Sequence, residues 1–221
     1  MSVIIQLSEL SFVTEDGIKV LDDVHLRVNR GELVFLVGPA AAGKSVLLGL
    51  LGTQIEPQHG QILVYGRNIA RLSRRKALDL RRQIGLLPQG FVPLEKTVIE
   101  NVTFKMRCLG DFPEQAEEKA LAALEQVGLT AKLAQMATEL EPIDRVRLGI
   151  ALSICDDPLL LLLDDPFVGL SAEDQEQIQE LLVQLNGRGF TILATARDAI
   201  ANAFASARIV QLADGRVEER S

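Results

Sequence analysis

Four residues, Gly38, Gly43, Lys44 and Ser45, have a spacing that points to chemistry. They lie in the segment LVFLVGPAAAGKSVLL (33–48), in which an apolar run ends at Gly38 and apolar residues at helical spacing follow Ser45. A strand, a glycine-bounded loop and a helix in this order match the pattern G-x-x-x-x-G-K-[ST]. Backbone N–H groups of such a loop and of the new helix point at one place and suit an anion. The segment therefore predicts a phosphate-binding loop.

The residues of this loop have distinct expected parts in holding a nucleotide. Lys44 would reach the β- and γ-phosphates, and the Ser45 hydroxyl would be a ligand of Mg²⁺. A chance glycine-rich turn is the weaker alternative, because a strand and a helix flank the loop. The expected phosphate-binding backbone comprises Gly38, Pro39, Ala40, Ala41, Ala42, Gly43, Lys44, Ser45 and Val46.

Two carboxylates follow a second apolar run later in the chain. The run is five leucines (159–163), and Asp164 and Asp165 come directly after it. Its length and the proline that follows the aspartates favour a buried parallel strand. Asp164 would hold Mg²⁺ through water opposite Ser45, as an acidic residue at a strand end does in P-loop enzymes, and Asp165 could act as general base. The alternative is a pair of helix-capping carboxylates.

Apolar periodicity indicates an α/β chain with a helical insertion. Residues 97–155 carry three segments with apolar residues at helical spacing and no convincing strand. We expect the first two strands to form an antiparallel pair. The predicted strands are 3–13, 19–29, 33–37, 61–66, 84–88, 159–163 and 190–195; the predicted helices begin near Ser45 or span 72–82 and 172–186, and a short helix and a hairpin turning at Asp214-Gly215 follow.

Composition excludes several classes of protein. The chain has 221 residues, 48% of them hydrophobic, and a formal net charge of -7, which argues against nucleic acid as a partner. A basic stretch (71–82) is interpreted as a solvated helix face. Cys108 and Cys155 have no metal or disulfide spacing, so we expect reduced thiols in a cytosolic protein. Neither a signal peptide nor an apolar run of membrane-spanning length is expected.

The order of phosphate loop, glutamine after a strand, inserted helices and leucine strand with DDPFVGL resembles an ATP-binding cassette (ABC) nucleotide-binding domain over essentially the whole chain. The resemblance implies an α/β fold with a P-loop, RecA-like core (1–88 and 156–221) that includes an antiparallel β subdomain, and an inserted α-helical subdomain (89–155). It implies ATP and Mg²⁺ as cofactors. Gln89 would contact Mg²⁺ and couple to a membrane partner, and Arg197 falls at the family's switch histidine.

The chain departs from the family pattern at many positions. Lys44 is kept, so we expect binding to suffer less than catalysis. In chain order, Thr14 stands where an adenine-stacking aromatic is usual, with Phe12 nearby; Ala41 replaces a glycine and Val46 a threonine; Asp165 replaces the glutamate base; Ser171 replaces an aspartate, and Arg197 replaces the histidine.

The largest departure is the signature, usually L-S-G-G-[EQ]. It reads here LEPID (140–144), followed by a recognisable helix RVRLGIAL. In ABC dimers this motif closes over ATP held by the other subunit. Pro142 has no N–H and Ile143 adds bulk where backbone must approach phosphate. Glu141 could cap its own helix and would repel a γ-phosphate, so we expect the helix to survive and the ATP clamp to be lost.

These features predict an ATP-binding subunit whose hydrolysis is weak or requires a partner. The resemblance implies an integral-membrane permease and a second ABC subunit, as homodimer or heterodimer, and a cytoplasmic location at the inner face of the membrane. A pseudo-ATPase that regulates or scaffolds a membrane or cell-division complex is the alternative, and a small-molecule kinase fits the helical insertion less well.

Local similarities extend to two subgroups of the family. The stretch LRRQIG (80–85) and the short length resemble ATPases of the cell-division FtsE and lipoprotein-release type. The stretch GTQIEPQHGQILVYGRNI (52–69) and DDPFVGL resemble the ATPase of MCE-type phospholipid transporters, the Mla system. The second similarity favours lipid trafficking slightly.

Overall fold

The fold is described by a computed structural model over residues 2–197 and 207–219, which contain ten strands and six α-helices. The strands are β1 (Val3–Val13), β2 (Lys19–Asn29), β3 (Leu33–Val37), β4 (His59–Val64), β5 (Arg67–Asn68), β6 (Ile84–Leu87), β7 (Leu160–Leu163), β8 (Thr191–Ala196), β9 (Arg208–Ala213) and β10 (Arg216–Glu219). The helices are α1 (Lys44–Leu51), α2 (Arg74–Arg81), α3 (Val98–Leu109), α4 (Pro113–Gln126), α5 (Pro142–Ile154) and α6 (Ala172–Gly187).

The strands form two sheets. A six-stranded sheet has the order β10-β9-β3-β8-β7-β6, in which neighbours from β9 to β6 run parallel and β10 is antiparallel to β9. A four-stranded antiparallel sheet has the order β2-β1-β4-β5. Because the carboxyl ends of parallel strands share one edge, the segments after β3, β7 and β8 are brought to the same place.

The central sheet is buried on both faces, which explains the uninterrupted apolar runs in its strands. Side chains alternate along β3: Leu33, Phe35 and Val37 belong to a core shared with α3–α6, whereas Val34 and Leu36 belong to a core with α1 and the four-stranded sheet. The leucines of β7 divide between the two cores in the same way. The sheet therefore separates two apolar layers.

The inserted segment is helical. Apart from an isolated bridge between Thr97 and Met136, the described structure of residues 97–155 consists of α3, α4, α5 and short turns. Thr97 and Glu100 form a capping box that begins α3, and Gly110, with φ 111°, ends it. Apolar residues of α3, α4 and α5 join the core of the central sheet, so this segment packs on the face opposite α1.

The structure confirms the α/β fold class with its antiparallel sheet and helical segment. Each strand and helix predicted within the described residues is present, with boundaries shifted by at most a few residues; β5 was not predicted. The short helix expected after residue 195 lies in 198–206, outside the described residues. The division at residues 88–89 and 155–156 stays a prediction. No helix within the described residues is both long and apolar enough to cross a bilayer.

Candidate functional site: a phosphate loop at the edge of the central sheet

The loop between β3 and α1 is built around two glycines that no other residue could replace without displacement. A Cβ on Gly38 would overlap the carbonyl oxygen of Leu212 in β9. Gly43 has φ 97°, and a Cβ there would lie 2.8 Å from Val20 Cγ1. Ala41, which replaces a family glycine, also adopts a left-handed conformation, with φ 62°. The loop thus keeps a left-handed backbone conformation at Ala41, although the alanine methyl group makes this conformation less favourable than it would be for glycine.

Lys44 lies inside this loop. Its Nζ donates hydrogen bonds to the carbonyl oxygens of Gly38 (2.7 Å) and Pro39 (2.8 Å), and the residue is buried. The ammonium group is therefore held at the centre of the loop, beside the N-terminus of α1. Both features favour an anion at this point.

A cavity of about 330 Å³ opens over the loop and collects most of the predicted site residues. Neither Thr14 nor Phe12 lines it; Val20 does, a residue that the sequence analysis did not single out. Gly38 and Pro39 are also absent from the lining and act through Lys44. The lining residues are Val20, Ala40, Ala41, Ala42, Gly43, Lys44, Ser45, Val46, Gln89, Asp164, Asp165 and Arg197.

The two carboxylates after β7 are connected by a threonine of the neighbouring strand. Thr195 Oγ1 donates to Asp164 Oδ1 (2.9 Å) and accepts from the backbone N–H of Asp165 (2.8 Å). β7 pairs with β8 so that Leu163 lies opposite Ala194, which places Thr195 beside Asp164. The sequence analysis missed Thr195, although a hydroxyl near the end of a strand before Arg197 was a possible signal.

Asp165 is paired rather than free. Arg197 Nε donates to its Oδ2 at 3.2 Å, and the carboxylate side chain is 8% exposed against 55% for the arginine. Burial raises the pKa of Asp165 above its ordinary value of 3.8, and the charges of Arg197 and Lys44 oppose part of that rise. The backbone of Asp165 has φ 48°, a conformation that aspartate tolerates better than most residues.

The signature segment forms the start of α5 as expected, with one difference. Pro142 is the first helical residue and Glu141 the N-cap, but the Glu141 side chain makes no capping hydrogen bond. The expectation that this carboxylate caps its own helix is therefore wrong. The buried Asp144 carboxylate instead pairs with Lys132 and lies 3.5 Å from Arg147 Nη1.

Two further side chains hold helices next to the site, and one of them, Ser171, is a departure from the family pattern. The Arg147 guanidinium donates from Nη2 to Gln177 Oε1 (2.8 Å), which ties α5 to α6. Ser171 is the N-cap of α6, and its hydroxyl accepts from the backbone N–H of Asp174 (3.1 Å). Both residues therefore fix helices next to the site.

The cavity suits Mg²⁺ and a nucleotide phosphate. Ser45, Gln89 and Asp164 supply oxygen atoms, the donors that Mg²⁺ prefers. Among the described residues no group of three or more His, Cys, Asp or Glu side chains could hold a metal by itself. Protein sites of this kind hold Mg²⁺ with one or two side chains and complete its coordination with phosphate oxygens and water. The donor set therefore fits a metal that is bound together with its nucleotide.

Comparison with known proteins agrees with this geometry. Residues 21–168, which include the loop and Asp164, match the family described as ABC transporter. The cell division ATP-binding protein FtsE of Bacillus subtilis (strain 168) is 30% identical over 213 residues, 96% of this chain and 93% of FtsE. The methionine import ATP-binding protein MetN of Carboxydothermus hydrogenoformans is 33% identical over 220 residues, 98% of this chain and 65% of MetN.

A solved structure has a similar fold. The dimeric structure of MJ0796, a bacterial ABC transporter cassette, matches with a TM-score of 0.85 and 27% identity, covering 99% of this chain and 100% of that one. The resemblance drawn from the phosphate loop, the leucine strand and the inserted helices is confirmed, and so is the similarity to FtsE. The chain belongs to the ABC transporter family, as one of its ATP-binding domains.

Proposed function

We propose that this chain is the ATP-binding subunit of a membrane ABC transporter complex, and that its degenerate signature leaves ATP hydrolysis weak or dependent on a partner subunit. Its relatives support the first part, since FtsE and MetN are named as ATP-binding proteins of cell division and of methionine import. The second part rests on the start of α5 and on the pairing of Asp165.

Nucleotide binding is supported by the groups that line the cavity. Lys44, now held by two loop carbonyls, would turn its Nζ to the β- and γ-phosphates, while the loop N–H groups hold the same oxygens. Ser45, Gln89 and Asp164 would bind Mg²⁺ directly or through water. When bound, Mg²⁺ neutralises phosphate charge and orients the phosphate chain. Thr195 keeps Asp164 directed at this position.

The observation that carries the proposal is that α5 begins at Pro142. A helix N-terminus binds an anion through its first N–H groups, and proline has none. Ile143 places a branched side chain where the family has glycine. Glu141 adds a carboxylate that makes no capping hydrogen bond. A γ-phosphate bound to a second subunit would therefore be repelled by this carboxylate and would also lack the N–H donor that Pro142 does not have.

The general base is also weakened. Asp165 is one methylene shorter than the usual glutamate, and Arg197 occupies one of its oxygens. Arginine stays protonated at all ordinary pH values, so it cannot exchange a proton as histidine does. Removing one well-placed stabilising group commonly costs about 10²–10³-fold in rate. The altered signature, base and switch residue together would bring turnover of the isolated chain below detection.

A partner subunit would restore one site. A homodimer would lack signature donors at both nucleotide sites, whereas a heterodimer would place an intact signature over the ATP held by this chain. A separate permease would recruit the assembly to the cytoplasmic face of the membrane. Nucleic acid is not a proposed partner, given the net charge of -7.

The cargo class is proposed from sequence similarity. Lipid trafficking is favoured slightly by the DDPFVGL stretch, and cell division by the similarity to FtsE. The alternative function is a pseudo-ATPase that binds nucleotide and scaffolds a membrane or cell-division complex without turnover. The intact Lys44 and Asp164 favour retained nucleotide binding in either case.

The test is Mg-ATP binding and turnover by the purified chain beside Lys44→Ala. We expect the unmodified chain to bind Mg-ATP and Lys44→Ala to lose binding, with no turnover that distinguishes the two. Restoring the clamp with Glu141→Ser, Pro142→Gly and Ile143→Gly should raise turnover to about tenfold or more above that of Lys44→Ala. Turnover by the unmodified chain that disappears in Lys44→Ala would contradict the proposed loss of the clamp, and absence of ATP binding would contradict the function as a whole.

A further inference from the structure

The outward face of α2 carries a patch of arginines around an exposed leucine. Arg74, Arg75, Leu78, Arg81 and Arg82 have the spacing i, i+1, i+4, i+7 and i+8, which places them on one side of a helix, and all five are exposed. Leu78, at the middle of this face, is 49% exposed. We call these five residues the α2 patch.

The charge of this region is opposite to that of the whole chain. Residues 67–82 contain seven basic residues and one acidic residue, Asp79, in a chain of net charge -7. Within the described part of the chain, no salt bridge joins a basic residue of 67–82 to a carboxylate. Some carboxylates lie near it, since Asp156 and Asp157 line a cavity with Arg82, and Glu56 lines another with Arg74 and Arg81. The other acidic residues lie farther away, and charges beyond about 10 Å are largely screened at physiological salt. The patch therefore presents a local positive field.

α2 contributes to the lining of two cavities. Leu78 and Arg81 line two separate cavities, of about 270 Å³ and 670 Å³, on either side of α2. Arg81 is anchored by hydrogen bonds to the hydroxyl (2.8 Å) and the backbone carbonyl of Thr53. No residue of α2 lines the nucleotide cavity. Nucleotide binding therefore does not account for the α2 patch.

We propose that the α2 patch binds anionic lipid headgroups, so that the chain contacts the membrane surface directly. Arginine guanidinium groups match phosphate oxygens in two-point hydrogen bonds, and their apolar stems lie along the boundary while the charge stays in the headgroup layer. A projecting leucine among basic residues is the composition of helices that lie in a membrane interface. The exposed Leu78 among the arginines favours a membrane interface over an acidic peptide, because a bilayer offers an apolar layer beneath its anionic headgroups.

The test is co-sedimentation of the full chain with vesicles of phosphatidylcholine, with and without phosphatidylglycerol. Each basic residue near an anionic surface contributes about fivefold to partitioning. Arg74→Glu/Arg75→Glu should therefore weaken binding to the anionic vesicles roughly 25-fold or more. Both positions lie in the first turn of α2, where glutamate favours the helix, so the variant should fold. Arg27→Glu/Arg188→Glu is the matched control, with the same change in net charge at exposed positions elsewhere.

Binding that requires phosphatidylglycerol, falls with salt, weakens in the α2 variant and survives in the control supports the proposal. Leu78→Ser should weaken it further without a change in charge. Equal loss in both double variants, or no binding to anionic vesicles, overturns it. Binding of polyglutamate without binding of vesicles also overturns it and identifies an acidic protein segment as the occupant. Mg-ATP binding should be unchanged in every variant, so this result is independent of the proposed function.

Discussion

Thr195 offers a direct test of how the site is held together, because its hydroxyl makes two hydrogen bonds at a fully buried position. It donates to Asp164 Oδ1 and accepts from the N–H of Asp165, and the residue is 0% exposed. Thr195→Val removes the hydroxyl with little change in shape. A hydrogen bond to a charged group is worth about 1.5–3 kcal/mol and a neutral one about 1 kcal/mol.

Asp164 lines the cavity, so water can replace part of the hydrogen bonding that its carboxylate loses in Thr195→Val. The lower end of the range for a hydrogen bond to a charged group therefore applies. We expect Thr195→Val to lower the free energy of unfolding by about 2–3 kcal/mol. Thr191→Val is the control: Thr191 is on the same strand, is also 0% exposed, and accepts a single bond from the N–H of Gly31 (2.9 Å). Its expected cost is about 1 kcal/mol.

Urea unfolding of the two variants measures the difference, with equal slopes of the transitions as the condition for comparing them. Thr195→Val should also weaken Mg-ATP binding, since Asp164 loses its orientation, while Thr191→Val should not. Equal destabilisation by both substitutions would refute the assignment of two bonds to Thr195. Unchanged Mg-ATP binding in Thr195→Val would refute its positioning role.

Two further predictions concern Asp165 and Asp144. The pKa of Asp165 is raised by burial, so its protonated form is favoured by folding: the stabilisation is present below pH 3.8 and is lost as pH rises through the higher folded value. The free energy of unfolding of Asp165→Asn, relative to that of the unmodified chain, should therefore rise as pH increases from 3.8 to the folded pKa, and should be constant above it. A difference between the two chains that does not change with pH would contradict the raised pKa of Asp165. Asp144→Ala should cost about 2 kcal/mol, because two cations lose a buried carboxylate but are themselves partly exposed. Lys132→Ala should cost less in the same unfolding assay, since Arg147 remains as a partner; the reverse order would contradict this reading.

Local patterns were sufficient to predict most of the fold. The leucine run at 159–163 predicted a buried strand that the following aspartates and proline end. Leu160–Leu163 form β7 and are buried, whereas Leu159 lies outside the strand and is exposed. The phosphate loop was predicted from its own residues because a glycine-bounded turn and the helix that follows it are local in sequence. Pro142 likewise marked the start of α5.

Contacts between distant segments could not be predicted in the same way. Val20 lines the cavity because β2 passes the phosphate loop. The alternation of apolar and polar residues predicts a strand, but it does not predict which loop the strand lies beside. Thr195 reaches Asp164 only because β8 lies next to β7, and strand order depends on the whole sheet. The Glu141 side chain does not cap α5 although its position is right, since the sequence gives a residue's place on a helix but not its rotamer.

The four leucines of β7 leave its register undetermined by apolar side chains. Leu159 precedes them, so sliding the strand one residue would still present leucine to both cores, and hydrophobic pattern alone would not oppose the slip. The alignment is fixed at the end of the strand: the N–H of Asp164 donates to the carbonyl of Leu87 (2.8 Å), and that of Asp165 donates to Thr195. The backbone N–H groups of Asp164 and Asp165 thus also fix the alignment of β7, and since one of them donates to the Thr195 hydroxyl, a substitution of Thr195 that is made to disturb the nucleotide site can change strand alignment as well.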